Sequence, residues 1–299
     1  ICAASKHPAS RQLLPMAYAC GWGGIITLVG TPPNIIGSGA LTAAGLPGFS
    51  FFEFAWIGIP LSVAGILYML LIGKYLLPKA ELDADQEIEQ EIEATTHDKK
   101  KQVISGVILL ACVTVMALNL KFISLEMTAI IGALVCVLTG CLTEKQAYSS
   151  IDWVTIFLFA GMMPVSTAMD KTGAGKLIAN WAVGLMGGEP TPLIVTIVLF
   201  SISCFLTQFM SNTASAALLC PIGIAIAKQL NADPKAVVMA IAVAASCAFA
   251  TPVGTPPCTL VLGPGGYKFM DYVKCGTGLV LVCFVVSLIV IPMVWPFFP

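Results

Sequence analysis

Ser211, Asn212 and Thr213 stand between two apolar runs, and Gly30-Thr31-Pro32-Pro33 recurs as Gly254-Thr255-Pro256-Pro257 inside two more. Their hydroxyls and amide offer neutral oxygen ligands for a hard cation and hydrogen-bond donors for a carboxylate. The prolines lack amide protons, so carbonyls about one turn earlier lose their helical partners. In apolar surroundings each unpaired carbonyl is costly. A desolvated cation held by carbonyl oxygens at the end of one half-helix would answer that cost. The start of the next half-helix would present N–H groups that suit an anion. The plain alternatives are a proline kink filled by water or hydroxyls, and an ordinary Ser-Asn-Thr helix cap at a surface turn. Thr207, one turn before the tip, can face the same place or bond back to its own helix.

The elements that must position these groups are membrane helices. The chain is 58% hydrophobic and 10% charged, with a mean hydropathy of +0.91. A soluble domain carries about a quarter charged residues. Several nearly charge-free runs reach the ~18 residues needed to cross the hydrocarbon of a bilayer, and they do not alternate as barrel strands do. The expected fold class is therefore an all-α polytopic membrane protein. Residues 1–47 hold the broken helix at 30–34, and 48–78 a membrane span. Residues 79–101 are a cytoplasmic linker with eight acids and four lysines. Spans fill 102–172, an amphipathic interfacial helix 173–189, and a re-entrant hairpin 190–230 with its tip at 211–213. A second broken helix occupies 235–272, interrupted at 254–258, and a last span 273–299, its apolar core from about 276 to 296. With the linker inside, most Lys and Arg fall on the cytoplasmic side, as the positive-inside rule asks.

The halves echo each other. "GGIITLVGTPPNIIGSG" (23–39) aligns without gaps on "CAFATPVGTPPCTLVLG" (247–263), and "FSFFEFAWIG" (49–58) resembles "KFMDYVKCGTG" (268–278). An odd number of crossings separates the copies, which predicts an inverted repeat. Paired interrupted helices in such a repeat point to the binding site of a transporter.

Other chemistry finds little support. Net charge is −1, which argues against nucleic acid, and the eleven cysteines lack zinc-ligand spacing beside only two histidines. No HExxH, GxSxG or Walker loop occurs, so no enzyme is expected. No His, Lys or Arg lies mid-span, and Glu53, Glu126, Asp152, Asp170 and Asp271 fall near span ends. Without a titratable relay, coupling to a metal cation is expected in place of a proton.

"FMSNTASAALLCPIGIAIA" (209–227), "TLVGTPPNIIG" (27–37), "PVGTPPCTLVLG" (252–263) and "IDWVTIFLFAGMMPVSTAMDKTG" (151–173) resemble the divalent anion:sodium symporters, carriers of dicarboxylates, citrate and sulfate. The resemblance covers nearly the whole chain. It implies a homodimer in the cell (inner or plasma) membrane, each subunit with a scaffold domain and a mobile transport domain that moves as an elevator. It implies Na+ as the coupling ion, held by Thr207, Asn212 and carbonyls near Met210 and Gly254, with Gly30 contributing to a second sodium site. Substrate, a di- or tricarboxylate, would meet Ser211, Asn212, Thr213, Thr255 and Thr31, beside Pro256 and Asn34. Two departures stand out. The chain opens as if partway through this fold, so a first Ser-Asn-Thr hairpin is expected upstream of Ile1. Cys258 replaces the Asn34 of the first copy, which predicts a lost contact in the second break. An inorganic oxyanion carrier, or a channel-like or scaffolding membrane protein, are the rival readings.

Overall fold

The computed structural model describes residues 9–78, 99–118, 125–151, 191–252 and 254–298, with single positions between 123 and 184. Most of the expected linker at 79–101, span at 153–170 and amphipathic helix at 173–189 lies outside the described residues.

Among the described residues the regular structure is helical throughout. After a 3-10 turn come α1 (Leu13–Gly24), α2 (Pro32–Ala43) and α3 (Ala55–Leu76). Then follow α4 (Lys99–Ala117), α5 (Leu125–Leu138) and α6 (Glu144–Ser149). The hairpin arms are α7 (Pro192–Leu206) and α8 (Asn212–Gln229); α9 (Pro234–Ser246), α10 (Pro256–Leu262) and α11 (Phe269–Val294) complete the chain. Ala55–Leu76, Lys100–Ala117 and Phe269–Val294 are each long and apolar enough to span a bilayer. Helix α7, with 15 residues, is not; at 1.5 Å per residue it reaches about 22 Å against a core of about 30 Å. With α8 leaving at once from the 207–211 turn, the two helices pack as a tight hairpin.

Helix α9 is the centre. From Ala236 to Ser246 every residue is buried, as expected for a helix apolar all round. Its many alanines let neighbours approach closely, and α2, α7, α8 and α11 all pack on it. The broken helices cross head to tail: α1 packs on α10 and α2 on α9. Parallel copies would have paired α1 with α9, so this pairing is the inverted repeat. Helices α4 and α5 pack on each other, outside that body.

The repeat extends to the caps. Ser50 N–H donates to Glu53 Oε2 (2.9 Å) before α3, and Lys268 N–H donates to Asp271 Oδ2 (2.7 Å) at the start of α11. The aligned acids thus do one job, accepting an orphan N–H near a helix start. This cap also explains why α11 begins at Phe269 and not near 276: "FMDYVK" forms its first turns rather than a loop.

Glu53 further joins the two halves. Lys235 Nζ lies 2.6 Å from its Oε1, and Trp295 Nε1 donates to the same oxygen at 3.0 Å. Burial pushes the Glu53 carboxyl up, but hydrogen bonds from Lys235, Trp295 and Ser50 outweigh that and hold it below its ordinary value. A carboxyl depressed in the folded state stabilises fully above its unfolded pKa, near 4.5, and loses that contribution as pH falls through the folded value. Glu53→Gln is expected to destabilise the protein by roughly 1–2 kcal/mol at neutral pH. The gap between wild type and variant should close on acidification, as read by thermal unfolding in detergent.

Candidate cation and substrate site

The breaks are longer than the prolines alone suggest. Helix α1 ends at Gly24 and α9 at Ser246, so residues 25–31, 247–252, 254 and 255 are unwound. The prolines do not end the first halves; they sit at the first and second positions of α2 and α10. Both breaks re-enter helix with the same backbone shape, Thr31 at φ −139, ψ 144 and Thr255 at φ −137, ψ 145. Neither threonine hydroxyl caps its own helix through a backbone N–H; that of Thr255 meets the Cys258 thiol in the first turn of α10. That of Thr31 lies 3.1 Å from Ser246 Oγ, which donates to Ala242 O. Thr31 thereby touches the end of α9, across the repeat.

One expectation needs correcting. A helix start normally leaves four N–H groups without partners. Here two of the four positions are prolines, and Asn34 N–H bonds to Thr31 O at 3.2 Å. The start of α2 is therefore poor in donors, and its prolines cheapen its burial. What the breaks leave in excess is carbonyl oxygen.

That oxygen collects at the hairpin tip. Thr207, fully buried, places Oγ1 2.7 Å from Ala245 O and 2.7 Å from the Asn212 amide. The Asn212 carboxamide closes this ring with its nitrogen. With nitrogen inward it lies 2.9 Å from Gly254 O, 3.2 Å from Ala245 O and 2.7 Å from Thr207 Oγ1. That orientation satisfies both carbonyls; turning the oxygen inward would set it against them, which only a bound cation would stabilise. Gly254 is close-packed: a Cβ there would fall 2.6 Å from Ala248 Cβ and 3.3 Å from Thr207 O. Among the described residues no group of three or more His, Cys, Asp or Glu is placed to hold a metal ion. The donor set is that of a hard cation bound by neutral oxygens.

Ser211 caps α8, its oxygen accepting Ala214 N–H at 3.2 Å, and Thr213 is buried on the first turn. Met210 and Gly30 lie on the hairpin turn and in the first break, and Pro256 opens α10. Asn34 is fully buried, and its Nδ2 donates across the first break to Thr27 O at 2.9 Å. The expected loss at Cys258 does not follow. Thr259, one residue on, donates to Pro252 O at 2.7 Å and spans the second break in the same way. Sequence reading missed Ala245, whose contribution is a backbone carbonyl, and Ser246 and Gln208, which carry no motif. The pairing of α9 with the hairpin is what brings them in.

An inverted pair of broken helices beside a neutral-tipped hairpin, on apolar helices of spanning length, defines a polytopic membrane transporter. The chain belongs to the citrate transporter family, whose model matches residues 1–216 and 115–298. It is 36% identical over 297 residues to an uncharacterized transporter of Haemophilus influenzae, covering 95% of this chain and 62% of that protein. It is 43% identical over 167 residues to the uncharacterized transporter YfbS of Escherichia coli, covering 54% of this chain and 27% of that one. With the sodium-dependent dicarboxylate transporter SdcS of Staphylococcus saprophyticus it shares 26% identity over 310 residues, 95% of this chain and 58% of that protein. The chain thus spans less than two thirds of the length of these relatives. Its relatives are transporters and not enzymes.

Proposed function

We propose that the chain forms the cation- and substrate-binding part of a sodium-coupled carrier of small di- or tricarboxylates in the cell membrane. The observation that carries this reading is the ring of Thr207 Oγ1, the Asn212 amide, Ala245 O and Gly254 O at the junction of hairpin and second break. Sodium, a co-substrate, enters with the Asn212 oxygen turned inward; without it the nitrogen turns in and donates to the same ring. A bound cation beside the tip offsets the charge of the carboxylate, so no buried arginine is needed. The substrate meets Ser211, Asn212, Thr213 and the hydroxyls of Thr31 and Thr255. Gly30 contributes a carbonyl to a second ion site at the first break. The relative named as a sodium-dependent dicarboxylate transporter supports the same ion and substrate class.

Movement is proposed as an elevator. Helices α4 and α5 belong to a scaffold, through which two copies of the chain pair. They face Val29 of the first break across a mostly apolar groove of about 660 Å³, lined also by Gln102 and Ser105. The test is uptake of labelled succinate by full-length protein in liposomes, with sodium or potassium outside. Sodium-dependent, saturable uptake supports the reading; equal uptake in both salts overturns sodium coupling, and competition by sulfate but not succinate overturns the carboxylate.

A further inference from the structure

The residue after Thr207 does different work. Gln208 is buried, and its Nε2 donates to Cys204 O on α7 (2.9 Å) and to Cys247 O in the second break (3.1 Å). Its Oε1 accepts Ala250 N–H at 3.0 Å, and its own carbonyl accepts the Thr251 hydroxyl at 2.8 Å. Three residues of the unwound segment, 247, 250 and 251, are therefore tied to one residue of the hairpin. An unwound backbone in hydrocarbon needs such partners, since water is absent. The segment is bracketed by Ala245 and Gly254, whose carbonyls complete the oxygen ring. Its shape sets the distance between them.

We propose that Gln208 is a positioning residue for the cation site: it splints the unwound segment 247–251 to the hairpin and so holds the Ala245 and Gly254 carbonyls at ligand distance from Thr207 and Asn212. This rests on the reading of that ring as the sodium site. The side chain is used as an amide, donor and acceptor at once.

The test uses Gln208→Leu in full-length protein in nanodiscs, a change that keeps the bulk and removes all three side-chain hydrogen bonds. Sodium affinity is measured against a potassium background, and hydrogen exchange is followed in the same samples. We expect sodium affinity to fall about tenfold or more, with exchange rising at 247–251 and unchanged in α9 and α11. Exchange raised only at 247–251 separates this from misfolding. Sodium affinity in Gln208→Leu equal to wild type, or weakened with exchange at 247–251 unchanged, overturns the proposal. Wild type that binds no sodium, with exchange at 247–251 raised in Gln208→Leu, leaves the splint standing and overturns the sodium reading instead.

Discussion

Asn212→Ala is expected to abolish sodium-stimulated uptake, lowering it about a hundredfold at subsaturating sodium. The amide is the one side chain that reaches Thr207 Oγ1, Ala245 O and Gly254 O together. Removing it deletes a ligand from the occupied ring, and deletes the donor that quiets two buried carbonyls in the empty ring. A lost partner to a charged group in a desolvated site costs about 3 kcal/mol, which is roughly the hundredfold stated. The fold should survive, because the N-cap of α8 is Ser211 and not Asn212. Thermal unfolding in detergent should accordingly stay within about 2 kcal/mol of wild type. Uptake that persists at the wild-type sodium dependence would remove Asn212 from the site.

Gly276→Ala should be among the most damaging methyl additions at the described glycines. A Cβ there would lie 1.9 Å from Phe249 O, 2.4 Å from its carbonyl carbon and 2.9 Å from Ala250 Cα. The obstacle is backbone, and cannot rotate away. Phe249 belongs to the second break, its ring edge-on to Tyr18 and Trp22 of α1. The unwound segment is thus clamped between α1 and α11, and the methyl would push it toward the hairpin. Overpacking of this kind costs about 3 kcal/mol or more. Both the unfolding temperature and sodium affinity should fall. Gly23→Ala is the control: a Cβ there meets nothing within 4 Å, and the substitution should fall within about 1 kcal/mol of wild type, on the stabilising side. Equal behaviour of the two variants would show that the clamp has no bearing on the break.

Much of this was legible from residue types. A chain this apolar has one solvent available to it, and a Ser-Asn-Thr between two apolar runs marks a turn between helices. The doubled Gly-Thr-Pro-Pro located both breaks and the inverted repeat, because proline acts on the backbone locally and its effect needs no neighbour. Where the reading went astray, the missing information was local but overlooked, or tertiary. Proline at the first two positions of α2 and α10 already said that those helix starts lack donors. Lys268 and Asp271, three apart before an apolar run, already marked the start of α11 at Phe269.

The rest could not be read along the chain. That the breaks begin at Ile25 and Cys247, a turn or more before the prolines, follows from partners elsewhere: Phe51 O for Leu28 N–H, and Gln208 for Cys247 and Ala250. That Cys258 in place of Asn34 leaves the second break spanned depends on Thr259 reaching Pro252. By itself the sequence determined which solvent the chain lives in, where its helices break and which side chains gather at the hairpin tip. Only the tertiary structure decided which carbonyls those side chains meet. Every residue has a carbonyl, and nothing but the packing of α9 between the hairpin and the first break singles out those of Ala245 and Gly254.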